Sequence, residues 1–171
     1  MKRRVFNIRA VAAAVFGVVP AVANASRGKF RTYSGPEIHY VVVNKAARRM
    51  YLLHNKEVVR RYDIDLGFEP DGHKQFAGDG RTPEGLYRID RRNPNSKFYL
   101  SLGISYPNSK DRAQARKLGK SPGGDIFIHG QPNKRRMRER DWTAGCISVK
   151  NREMAEIYAM VKNGTIIAIR P

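Results

Sequence analysis

The residues best equipped for chemistry are Cys146, the only cysteine in the chain, and His129, 17 positions before it. Cys146 stands in Asp141-Trp142-Thr143-Ala144-Gly145-Cys146-Ile147-Ser148-Val149, and His129 in Ile126-Phe127-Ile128-His129-Gly130. A thiol of ordinary pKa, about 8.5, is mostly protonated near neutrality, so a nucleophilic cysteine needs a neighbouring base. His129 is the natural candidate. Gly145, directly before the cysteine, lets backbone N–H groups approach a carbonyl whose oxygen becomes negative during attack. The bland alternative is an inert buried cysteine beside a histidine engaged only in hydrogen bonding.

Positioning these groups requires a rigid frame, and the sequence predicts one that is mainly β with one or two helices. Short β-rich runs at Ile38 to Val43, Arg49 to Leu53 and Glu57 to Leu66, separated by turn-like stretches, suggest an antiparallel meander. In the third run, a two-residue period would put Val58, Arg60, Tyr62 and Ile64 on one face. Further strands are expected at Leu86 to Asp90, Phe98 to Ser105 and Asp125 to Ile128, with a short basic helix around Asp111 to Leu118. Gly67 to Gly85, rich in glycine and without apolar period, reads as a long surface loop.

The clearest helix is Arg152 to Lys162, where Met154, Ile157, Tyr158 and Val161 form a stripe at helical spacing, Asn151 is placed to cap and Asn163-Gly164 to stop it. That stripe means core packing. Thr165 to Ile169 then reads as a last strand, so a helix and a strand follow Cys146 and support it.

Residues 1–25 have the form of an export signal: a basic start at Lys2, Arg3, Arg4 and Arg9, an apolar run from Ala10 to Val22, and Ala23-Asn24-Ala25 as a cleavage site. The apolar run is short of the about 20 residues that a membrane-spanning helix needs, so no transmembrane anchor is expected after cleavage. Residues 26–37 read as a flexible lead-in and 38–171 as one domain. Cleavage removes four basic residues and no acidic one, leaving about +14 of the formal charge of +18. An exported, strongly basic protein suits anionic surroundings, such as a carboxylate-rich wall polymer, better than nucleic acid.

Several ordered motifs together resemble the L,D-transpeptidase catalytic domain, or YkuD domain, and within it the YafK-like branch. His129 followed at family spacing by Thr143-Ala144-Gly145-Cys146 is one match, and Thr82-Pro83-Glu84-Gly85 resembles the upstream Thr-Pro-x-Gly. Gly78-Asp79-Gly80-Arg81, Ile104-Ser105-Tyr106-Pro107-Asn108 and Pro122-Gly123-Gly124-Asp125-Ile126 add to it. Two positions depart from the pattern: Ala144 stands where a histidine is usual, and Ser148 where Asn or Arg is frequent.

The resemblance implies a β-sandwich with Cys146 as nucleophile, His129 as general base, the Gly130 carbonyl orienting the imidazole, and the Gly145 and Cys146 N–H groups as the oxyanion site. It implies a peptidoglycan stem peptide as acyl donor, loss of D-alanine, a thioester on Cys146, and transfer to an amine on another stem or on a wall-attached protein, in the periplasm. With water as acceptor the same residues give a carboxypeptidase or amidase. A non-catalytic basic binder of wall polymer or nucleic acid is the alternative of another class. Arg81 and Lys74 are candidate partners for substrate carboxylates, with Thr143 beside the cysteine. The basic run Lys134, Arg135, Arg136, Arg138 and Arg140 suggests a lid, and Trp142 a pocket wall. No metal or other cofactor is expected, because His39, His54 and His73 lack ligand spacing.

Overall fold

The computed structural model describes residues 28–133 and 139–171. The export-signal reading of residues 1–25 and the basic residues Lys134, Arg135, Arg136 and Arg138 lie outside them. Eight strands and two helices follow in the order β1 (Tyr40–Asn44), β2 (Arg49–His54), β3 (Glu57–Asp63), β4 (Gly85–Asn93), β5 (Ser101–Ile104), α1 (Ser109–Lys117), β6 (Phe127–His129), β7 (Ile147–Ser148), α2 (Asn151–Met160) and β8 (Ile166–Arg170). Among the described residues no helix is long and apolar enough to cross a membrane.

The strands form one sheet in the order β3-β2-β1-β8-β4-β5-β6-β7. The expected meander is present, since β1 pairs antiparallel with β2 and β2 with β3. The final strand β8 then inserts between β1, to which it is parallel, and β4, to which it is antiparallel. A bulge between Ile89 and Arg91 lets β4 pass from β8 to β5, and there the sheet curls. Val41, Val43, Met50, Leu52, Ile89, Leu102, Ile104, Ile128, Ile147, Ile167 and Ile169 fill the core.

One face assignment is corrected. In β3, Leu52 pairs with Arg60 but Leu53 with Val58, so Val59 is an extra residue and the two-residue period breaks there. Tyr62 and Ile64 are buried while Val58 is exposed on the other side.

The expected stripe on α2 is buried at Met154, Ile157, Tyr158 and Val161. Its N-terminus is held by Glu153 Oε2, which accepts the Lys150 N–H at 3.0 Å. Asn151 does not cap the helix; its Oδ1 accepts the Gln131 N–H at 2.7 Å, tying α2 to the residues after His129. At α1, Asn108 Oδ1 accepts the Lys110 and Asp111 N–H groups while Asp111 returns a bond to the Asn108 N–H.

Candidate active site

β6 and β7 lie side by side and parallel, with Ile128 opposite Ile147 and His129 opposite Ser148. Both isoleucines are fully buried in the core. Side chains alternate along a strand, so His129 and Cys146 project from the opposite face together. They line one cavity of about 520 Å³, with Phe98, Lys97, Asp125 and Phe127 among its other walls. The two-residue β7 is too short for sequence periodicity to reveal, yet it brings the two groups into one place.

His129 is 3% exposed and held on three sides. Its ring stacks on Phe98 at 4.5 Å between centroids and 29° between planes, and meets Trp142 edge-on at 5.6 Å and 63°. Nδ1 lies 2.7 Å from the Gly130 carbonyl. A carbonyl oxygen only accepts, so the proton is on Nδ1 and Nε2 keeps its lone pair. Burial pushes the imidazole down from 6.5 to about 4, against the opposing pull of the Gly130 carbonyl. The ring is therefore neutral near pH 7.

Gly130 has little space for a side chain, because a Cβ would lie 2.5 Å from Asn151 Oδ1 and 3.0 Å from the Phe98 carbonyl. Its N–H donates to that same carbonyl at 3.0 Å. With the Gln131 bond to Asn151, the carbonyl that orients His129 sits on a pinned backbone. Buried Ser148, at the position of a frequent Asn or Arg, accepts from Gln131 Nε2 at 3.2 Å.

Cys146 is half-buried, with Sγ 3.5 Å from the Asp125 carbonyl. Burial raises its pKa; the Phe127 N–H opposes this, the Asp125 charge adds to it, and the charges of Lys74 and Arg91 oppose it, leaving the thiol above its ordinary value. The resting thiol is protonated.

The turn before it is built from the backbone of two loops. Phe68 N–H donates to the Thr143 carbonyl and Thr143 N–H to the Leu66 carbonyl, at 2.9 and 3.0 Å. Asp65 and Ser148 exchange both backbone hydrogen bonds. Gly145 has φ +123°, and a Cβ on it would lie 2.5 Å from the Arg81 carbonyl. Asp141 anchors the start of the turn by receiving Arg48 through Nε and Nη2 at 2.8–3.1 Å and the Leu66 N–H at 2.9 Å.

Four expectations change. Thr143, expected among the substrate-binding residues, is 4% exposed with its hydroxyl engaged within the turn: it donates to the Cys146 carbonyl at 2.7 Å and accepts the Gly145 N–H at 3.1 Å. The Gly145 N–H is thereby engaged, so the pair of oxyanion donors expected here is reduced. Lys74, expected on the long loop as a partner for a substrate carboxylate, is 3% exposed and held by Asp79 Oδ1 at 2.7 Å and the Phe76 carbonyl at 3.1 Å. Burial would raise the Asp79 carboxyl, but Lys74 and the N–H groups of Gln75, Arg81 and Phe76 outweigh it and hold it below the ordinary value. The 67–85 segment is a scaffold beneath the cysteine turn more than a free loop.

Arg81 keeps a partly exposed side chain, 3.8 Å from Glu69. Arg140, the described end of the basic run, pairs with Asp65 at 3.0 Å. Among the described residues no group of three or more His, Cys, Asp or Glu side chains is arranged to hold a metal ion. Sequence reasoning missed the Phe98 clamp, the Asp125 carbonyl and the bond of Asn151 to the Gln131 N–H. Phe127 carried a signal, since it stands two residues before His129 on one strand.

The L,D-transpeptidase catalytic domain (YkuD) family model matches residues 38–169. YafK of Escherichia coli (strain K12), an L,D-transpeptidase by name, is 31% identical over 97 residues, which cover 56% of this chain and 34% of YafK. The helical cell shape determining protein Pgp2 of Campylobacter jejuni shares the fold with a TM-score of 0.60 and 26% identity, over 80% of this chain and 49% of Pgp2. An L,D-transpeptidase from Mycobacterium smegmatis, at 15% identity and a TM-score of 0.52 over 80% of this chain and 60% of that one, has the same fold. The chain spans about a third of YafK and about half of Pgp2. With the family model covering nearly all of the described core and its His and Gly-Cys motifs meeting at one cavity, the chain belongs to the L,D-transpeptidase catalytic domain family.

Proposed function

We propose that this chain is an exported, periplasmic cysteine acyl-transferase acting on peptidoglycan stem peptides, with Cys146 as nucleophile and His129 as base. The observation that carries the reading is the cavity shared by Cys146 and His129, with the imidazole presenting a free Nε2 lone pair because its Nδ1–H donates to the Gly130 carbonyl. Both groups are neutral at rest. As the thiol sulfur bonds to the donor carbonyl carbon, its proton passes to Nε2, and the imidazolium then returns it to the departing amine nitrogen as the C–N bond breaks. A thioester on Cys146 and free D-alanine result.

With the Gly145 N–H bound to Thr143, the Cys146 N–H is the remaining donor of this turn for the developing oxyanion. Attack of an amine on the thioester, its proton taken by His129 and given to the departing thiolate, forms the new amide and restores the enzyme. That amine belongs to another stem or to a wall-attached protein; water in its place makes the chain a carboxypeptidase or amidase.

Incubation of the mature protein with muropeptides, read by mass, separates these outcomes. A crosslinked dimer with released D-alanine is expected. Shortened stems without dimer reject amine transfer, and turnover unaffected by Cys146→Ala or His129→Ala rejects the site. Salt-sensitive polymer binding without any turnover leaves the chain a basic binder.

A further inference from the structure

Arg91, Gly103 and Phe127 are cross-strand neighbours on β4, β5 and β6, and the β6–β7 register continues the row to Cys146. Neighbours in such a row point to the same face of the sheet. The row is open at Gly103, where a Cβ would lie 2.3 Å from Arg91 Cγ and 2.8 Å from its Nε. The Arg91 stem thus lies flat through space that any other residue would fill. Its guanidinium reaches over the Phe127 ring, 4.5 Å from the centroid, at a wall of the Cys146 cavity.

The next residue, Arg92, turns to the opposite face and is fully committed there, stacked on Tyr158 at 3.9 Å and bonded to the Tyr158 and Val161 carbonyls. Arg91 is not committed in this way. Its polar partners are Asp90 and Asp125, each 3.2 Å away, and the Asp125 side chain is 90% exposed. Such exposed pairs contribute little and exchange readily. Arg48, by contrast, is closed on Asp141 by contacts of 2.8–3.1 Å.

An arginine fork stacked on an aromatic wall of the nucleophile's cavity and paired with a displaceable carboxylate is suited to another carboxylate. One strand spacing, about 5 Å, separates the Phe127 and Cys146 positions in the row. This is little more than the length of one peptide residue. The carboxylate in reach therefore belongs to a residue at the attacked bond.

Resting on the wall-peptide reading above, we infer that Arg91 is a specificity-determining residue that binds a free carboxylate of the peptide engaged at Cys146, displacing Asp125. Gly103 is the positioning residue that lets it reach. The carboxylate is either the C-terminal one of the departing D-alanine or the side-chain one of the diaminopimelate before it.

The test is calorimetric binding of a stem tetrapeptide to the full chain carrying Cys146→Ala. The peptide is used as the free acid, as the C-terminal amide and with the diaminopimelate side-chain carboxylate amidated. One amide is expected to bind at least ten-fold more weakly than the acid, and that amide identifies the carboxylate read. Adding Arg91→Gln should abolish the difference, and Gly103→Ala, which pushes the stem aside while keeping the guanidinium, should reduce it. Equal binding of all three peptides, absence of binding, or discrimination that survives Arg91→Gln overturns the inference. Turnover by the native chain is measured separately: turnover without discrimination rejects only the role of Arg91, and discrimination without turnover rejects only the catalytic reading.

Discussion

His129 should couple folding to pH. In the folded chain its imidazole is pushed from 6.5 to about 4 by burial between Phe98 and Trp142. Once unfolded it regains the ordinary value, so between pH 6.5 and 4 the unfolded state binds a proton that the folded state refuses. Stability contributed by keeping this ring neutral is complete above pH 6.5 and is lost as pH falls towards 4. The depression corresponds to about 3 kcal/mol in total, with a maximal slope near 1.4 kcal/mol per pH unit. Asp79, held below its ordinary 3.8, loses its contribution only at lower pH, and Asp65, raised mainly by burial, acts in the opposite sense just above 3.8. Urea unfolding of the native chain and of His129→Phe at half-unit steps from pH 4 to 7 isolates the histidine, because groups common to both cancel in the difference. The variant should be offset in stability but flatter by about one proton. Parallel curves would mean that the folded site accepts the charge, and the neutral-imidazole argument would fail.

Replacing Gly145 with Ala forces a Cβ to 2.5 Å from the Arg81 carbonyl at φ +123°, so a loss of about 3 kcal/mol or more is expected in urea unfolding, with activity abolished. Thr143→Val leaves the Gly145 N–H unpaired and frees the Cys146 carbonyl; stability should fall by about 1–3 kcal/mol, and steady-state kinetics should show a lower kcat at nearly constant KM. Lys74→Met strands the Asp79 carboxylate in a buried setting and should cost about 3–5 kcal/mol in the same unfolding assay, far more than removal of a free surface cation.

The strands of the meander, the α2 stripe and the Cys146–His129 pair were all legible in the sequence, because each is expressed by local periodicity or by residue types at fixed spacing. The glycine before the cysteine was read as admitting N–H groups to a carbonyl, but its structural reason, φ +123° against the Arg81 carbonyl, was not legible. The Val59 bulge was not legible, since register depends on the partner strand, nor was the insertion of β8 between β1 and β4. The same limit explains Lys74, Thr143 and Asn151. A sequence names their donors and acceptors but not the partners, and each found one across a loop or turn: Asp79, the Gly145–Cys146 backbone and Gln131. Arg91 and Arg92 are adjacent and chemically identical, yet β4 alternation and the empty space at Gly103 send one towards the cavity and the other to α2. Sequence by itself determined which chemistry the chain carries, because reactive groups are properties of residues. Tertiary structure decided which of those groups remain free to use it, because burial and the choice of hydrogen-bond partner depend on how loops and turns are folded against the sheet, even where the partner is only a few residues away, as for Lys74 and Thr143.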